Sequence, residues 1–126
     1  MIAGIYNITV EQGSTFVRLL SIEQPDIAND PTGETFIPFD LSGYTARMQI
    51  RRTIESDTAM ILLTTENGGI DVIPETAVNE IKLLITAANT ATLATSGVYD
   101  LEIIDNLGNV SKVVRGNMTL IPEVTK

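Results

Sequence analysis

The stretch from residue 97 to residue 121 constrains the fold more than any other. It opens with Gly97-Val98-Tyr99-Asp100-Leu101-Glu102-Ile103-Ile104. Tyr99, Leu101 and Ile103 alternate with Asp100 and Glu102, the period of a strand with one buried face. Asp105-Asn106-Leu107-Gly108-Asn109 follows, a run of residues that tolerate positive φ or bond their own backbone. The return run is long and apolar at intervals, and the whole predicts a β-hairpin. Its alternation falters at Arg115-Gly116-Asn117, and a glycine inside a strand pattern predicts a bulge there.

The same period recurs upstream in shorter pieces. Residues 5–10 read as a first strand, and Glu11-Gln12-Gly13-Ser14 as a turn. In residues 15–22, Phe16, Leu20 and Ile22 share one face and Val17 and Leu19 the other. Arg18 falls on the Phe16 face, so this strand is two-sided or shifted in register. The run 44–51 alternates cleanly, with Tyr44, Ala46, Met48 and Ile50 inward and Thr45, Arg47, Gln49 and Arg51 outward. Residues 60–65 are apolar on both sides up to Thr64, and Glu66-Asn67-Gly68-Gly69 is a turn. Ile70, Val72 and Ile73 precede Pro74, and Ile81, Leu83 and Ile85 face inward in another strand. Thr86 can cap a short helix through the alanine-rich residues 86–93. Seven or eight short strands at 8–12-residue spacing, with one short helix, predict an all-β antiparallel sandwich or small barrel.

Residues 24–38 fit neither hydrophobic period and hold three of the five prolines. They read as a long loop, with room for a small hairpin, and as the one insertion-like part of the chain. Loops beyond about 12 residues are often functional. Its polar groups Asp26, Asn29 and Asp30 are therefore candidate partner contacts, as are Arg47, Arg51 and Arg52. Arg47 and Arg51 fall on one outward strand face, about 13 Å apart at the usual rise. The competing role for these arginines is cross-strand ion pairing within the molecule.

Composition narrows the chemistry. The 126 residues fit one domain, 1–126, that buries about two-thirds of its unfolded surface. Without cysteine there is no disulfide framework and no zinc–thiolate site, which suits a reducing cytoplasm. Without histidine the chain lacks the usual general base near neutral pH and the commonest metal ligand. A net charge of −8 opposes non-specific binding to nucleic acid. No apolar run approaches the roughly 20 residues that span a bilayer. Met1-Ile2-Ala3-Gly4 has neither a basic nor an apolar leader region, so no signal peptide is expected.

Candidate motifs thin out on inspection. Asn7, Asn109 and Asn117 begin Asn-x-Ser/Thr triplets, which a short motif produces by chance in an Asn- and Thr-rich chain. Residues 105–109 lack the ligand spacing of a calcium loop. Asp100 and Glu102 share an outward face, where solvation is the ordinary role of a carboxylate pair. No catalytic triad and no glycine-rich phosphate loop is present. No enzyme activity, cofactor or metal is expected.

Several segments carry a resemblance in order along the chain. They are Tyr6-Asn7-Ile8-Thr9-Val10-Glu11-Gln12-Gly13-Ser14-Thr15-Phe16, Asp40-Leu41-Ser42-Gly43-Tyr44-Thr45-Ala46-Arg47-Met48-Gln49-Ile50-Arg51 and Leu63-Thr64-Thr65-Glu66-Asn67-Gly68-Gly69-Ile70. Ile85-Thr86-Ala87-Ala88 and Gly97-Val98-Tyr99-Asp100-Leu101-Glu102-Ile103 follow, then Gly116 and Pro122-Glu123-Val124-Thr125. Together they resemble a family of small proteins encoded by tailed bacteriophages and prophages. The resemblance implies an immunoglobulin-like β-sandwich that serves as a virion component of tail, baseplate or neck, with no catalytic motif to transfer. It implies other phage structural proteins as partners, and copies of the chain in a symmetric ring. The linker before the Leu-Ser-Gly-Tyr motif is often shorter in that family, which makes residues 24–38 this chain's own contact element. The expected role is a structural subunit on the tail or baseplate side, joined through strand edges and this loop. The first and terminal strands are the candidate edges. Alternatives are a capsid or neck decoration protein and a carbohydrate-binding or adhesin module. For the last, Tyr6 is the one available aromatic platform, since Tyr44 and Tyr99 face inward and tryptophan is absent.

Overall fold

The computed structural model describes residues 4–74 and 79–125. Residues 1–3, on which the expectation about a leader partly rests, lie outside them. The predicted hairpin forms from β10 (Gly97–Ile104) and β11 (Val110–Ile121), paired antiparallel. Asp105 ties the turn by accepting from the Leu107 and Asn109 backbone N–H groups at 2.9 and 2.8 Å. Gly108 takes φ +85° there.

β10 lies inside the larger sheet. On its other side it pairs with β6 (Thr45–Arg51), which pairs in turn with β7 (Ile61–Thr64). β1 (Gly4–Ile5) and β2 (Ile8–Glu11) both lie parallel to β11, so the terminal strand is flanked on both sides. This corrects the expectation that β11 offers a free edge. The first strand does form an edge of the sheet, and β7 forms the opposite one.

The second sheet has the order β3–β9–β8, from β3 (Phe16–Ser21), β8 (Ile70–Pro74) and β9 (Asn79–Ile85). β4 (Glu23–Pro25) and β5 (Phe36–Pro38) form a separate two-stranded ribbon. Eleven strand segments thus stand among the described residues, against seven or eight expected. The extra ones are the β4–β5 ribbon, which spans residues 23–38, and the break of the first strand at Tyr6–Asn7. The fold is all-β, with one short helix α1 (Ala87–Thr90).

The alternation explains the core. Tyr99, Leu101 and Ile103 are buried, as are Ala46, Met48 and Ile50 from β6. They join Phe16, Ile81, Leu83 and Ile85 of the smaller sheet in one hydrophobic cluster. In β3 the Phe16 face is the inner one, while Val17 and Leu19 are about half exposed. Arg18 sits on that inner face because aromatic rings receive it. Its guanidinium lies 5.2 Å from the Phe16 ring centre and 5.8 Å from that of Tyr6, and it donates to the Tyr6 hydroxyl.

Thr86 caps α1 by accepting from the Asn89 N–H. The buried Thr90 hydroxyl donates to the Ser14 carbonyl at 2.8 Å, fastening the helix to the β2–β3 turn. Gln12 bridges the same end, donating to the Leu93 carbonyl and accepting from the Glu123 N–H.

The bulge is elsewhere than expected. Leu101 faces Val114 and Glu102 faces Lys112, so Val113 is the additional residue. Gly116 stays in register opposite Tyr99. A Cβ at Gly116 would lie 2.2 Å from the Tyr6 carbonyl oxygen, so only glycine permits this close approach. That carbonyl accepts the Tyr99 hydroxyl, and burial pushes the Tyr99 phenol up to about 12.

Two substitutions test this arrangement. Leu101→Ala should destabilise the protein by about 2–5 kcal/mol in urea unfolding, as expected for a fully buried leucine. A loss below about 0.5 kcal/mol would place Leu101 on the surface. Gly116→Ala should lose about 1–3 kcal/mol, because the new methyl must displace backbone rather than a flexible side chain. Amide exchange should then quicken first in β1 and β2.

Candidate functional site

The outer face of the larger sheet is built in rows. Across it, Glu102 stands between Arg47 and Lys112, Asp100 between Gln49 and Arg115, and Val98 between Arg51 and Asn117. Directly opposed residues on one face are close enough to interact. Two carboxylates on β10 are therefore flanked by cations from both neighbouring strands.

The bulge makes this possible. Residues three apart in a regular strand point to opposite faces. The extra Val113 restores the phase, so that Lys112 and Arg115 both project outward with Glu102 and Asp100.

Arg47 Nε donates to Glu102 Oε1 at 2.7 Å. Lys112 Nζ reaches Glu102 Oε2 at 2.8 Å and Asp100 Oδ2 at 2.9 Å. The Lys112 ammonium holds the Glu102 carboxyl below its ordinary value; burial opposes it, and the Arg47 guanidinium adds to the lowering. Glu102 and Asp100 in turn hold the Lys112 ammonium above its ordinary value. Arg51 donates to Gln49 Oε1 from Nε and from a terminal nitrogen, at 3.0 and 2.6 Å, and to the Ser56 carbonyl. Arg115 makes no side-chain hydrogen bond or ion pair among the described residues, while Lys112 holds Asp100 Oδ2.

These rows floor an open groove of about 780 Å³. Ile5 and Ile54 stand at it, 74% and 82% exposed. Arg47, Arg51, Lys112 and Arg115 are four of the chain's eight lysines and arginines. They face only two carboxylates in a protein whose net charge is −8. The groove is locally cationic on an acidic molecule.

Of the residues singled out from sequence, the structure gathers Arg47 and Arg51 here. Arg52 is exposed in the bend after β6 and does not line the groove. Asp26, Asn29 and Asp30 lie in the ribbon, where they build its turn. Asp26 is buried and accepts from the Asn29 amide at 3.2 and 3.0 Å. Asp30 accepts from the Thr32 hydroxyl and from the Thr32 and Thr35 backbone N–H groups. Hydrogen bonds with Thr32 and then Thr35 hold its carboxyl at about 2. The exposed acids of the ribbon are Glu23 and Glu34, and its exposed apolar side chains are Ile27, Phe36 and Ile37. No ribbon residue lines the groove.

Sequence reasoning missed Lys112, Arg115, Ile5 and Ile54. Lys112 had a signal. Counting outward from the 105–109 turn pairs Ile104 with Val110, Ile103 with Ser111 and Glu102 with Lys112. Arg115 had none, since its facing depends on the misplaced bulge. Tyr6 is half-buried beneath Arg18, so its ring is not an open platform.

Among the described residues no group of three or more His, Cys, Asp and Glu is placed to hold a metal ion, and no helix is long and apolar enough to cross a membrane. No family model matches the chain, and no curated protein matches it.

Glu102 makes the ion-pair network testable by pH. A carboxyl held low in the folded state stabilises it above the unfolded pKa, and that contribution disappears as pH falls through the folded value. Urea unfolding at about pH 6 and about pH 3 should show wild type losing more stability than Glu102→Gln. The difference should stay within about 1 kcal/mol, since both cations are half exposed, and should shrink in salt.

Proposed function

We propose that this chain is a structural subunit of a tailed-bacteriophage particle, on the tail or baseplate side, whose work is adhesion to neighbouring subunits. The observation that carries the reading is the outer face of the larger sheet. Its ionic side chains pair across an open surface bordered by two exposed isoleucines, rather than converging on an enclosed cavity. Arginine beside exposed apolar side chains is the composition of a protein contact surface. The resemblance read from the sequence in residues 6–16, 40–51, 63–70, 85–88 and 97–103, Gly116 and 122–125 is the ground for taking the particle as the setting.

Strand order supports the immunoglobulin-like part of the reading. A sheet ordered β11–β10–β6–β7 against one ordered β3–β9–β8 matches a variable-type sandwich with its first strand moved beside its last. Tyr99 near the start of β10 bonds the Tyr6 backbone in a molecule that has no disulfide to brace the two ends.

Quantitative mass spectrometry of purified particles tests the proposal. The chain should be present at a handful to a few dozen copies, as a tail-side ring requires. Hundreds of copies would move it to the capsid surface, and absence from particles would overturn the reading.

A further inference from the structure

We propose that the groove on the larger sheet receives the acidic β4–β5 ribbon of a second copy of this chain, so that copies join head to tail. The inference rests on the assembly reading above and names the partner of that same surface.

Charge is the first argument. Residues 23–38 hold Glu23, Asp26, Asp30 and Glu34 and no lysine or arginine. On a molecule of net charge −8, most surfaces repel such a segment. The groove is the exception, since half of the chain's lysines and arginines line it. Arg115, which has no ion-pair partner among the described residues, offers a free guanidinium to an incoming carboxylate. Glu34, exposed on the ribbon, offers the carboxylate.

Apolar matching is the second. Ile27, Phe36 and Ile37 stand 55%, 54% and 38% exposed on the ribbon, and Ile5 and Ile54 are exposed at the groove. Exposed apolar side chains thus occur on both surfaces, beside a cationic excess on the groove and an acidic one on the ribbon.

Rigidity is the third. The Asp26–Asn29 and Asp30–Thr32–Thr35 hydrogen bonds hold the ribbon in one shape, which lowers the entropy lost on docking. The groove is open and about 780 Å³ in volume, with room for several side chains of an incoming strand pair.

Ribbon and groove are separate surfaces, so the contact is heterologous. Repetition closes a ring if the rotation between copies closes, and otherwise extends a filament.

Charge exchange on the full-length chain tests this by sedimentation velocity at low salt. Wild type should associate with rising concentration and dissociate in salt. Arg115→Glu and Glu34→Lys should each weaken association at least tenfold. The double variant should recover it, as should an equal mixture of the two single variants. Both positions are exposed, so urea unfolding should find Glu34→Lys as stable as wild type and Arg115→Glu weakened by no more than about 1 kcal/mol, the cost of a carboxylate opposite Asp100. A wild type that stays monomeric at about 100 μM, far above the micromolar constants of ordinary weak contacts, would overturn the inference. So would association indifferent to both exchanges, or a double variant that does not recover. If particles nevertheless contain the chain, the structural-subunit reading stands and this contact alone falls.

Discussion

The structure depends on the two-faced character of β10. Its inner side chains Tyr99, Leu101 and Ile103 are buried, and its outer ones, Asp100 and Glu102, are charged. A strand of this kind has one admissible orientation, since a slip of one residue would bury both carboxylates. Because β10 pairs on both edges, it imposes that orientation on β6 and β11. The same periodicity therefore sets the core on one side and the charged rows on the other.

The amino-terminal strands are held by a different device. Tyr6 turns its carbonyl to the Tyr99 hydroxyl and its own hydroxyl to Arg18, while its backbone N–H donates to Arg115 at 2.9 Å. Asn7 accepts from the Asn117 N–H at 3.0 Å. The absence of a side chain at Gly116 allows all of this at short range. One tyrosine thus links the first strand, both strands of the hairpin and the smaller sheet through Arg18.

What was legible in the sequence was local. The facing of Leu101, Met48 and Leu83 follows from period-two alternation, and the Thr86 cap and the 105–109 turn follow from side chains that bond nearby backbone. Gly116 was legible as special but not for the right reason, because the approach of Tyr6 comes from more than a hundred residues away in the chain. The parallel pairing of β1 and β2 with β11 leaves no local trace either. Part of the groove was visible in Arg47 and Arg51. Lys112 needed the register counted from the turn, and Arg115 needed the true position of the bulge. Asp26 and Asp30 show the limit of composition, since acids in a loop are as readily its internal fastenings as its outward contacts.

The pairing of the chain's beginning with its end also bears on how the protein is made. β1 and β2 emerge during synthesis about a hundred residues before β11, the strand they lie against. Contacts of such long sequence separation close slowly, and they hold back completion of the larger sheet. Until then β11 presents a row of bare amides and carbonyls along one side, the kind of template on which the leading strands of a neighbouring nascent chain can settle. Crowded expression would thus favour exchanged amino-terminal strands between molecules, a dimer produced by kinetics with the same hydrogen bonds as the monomer.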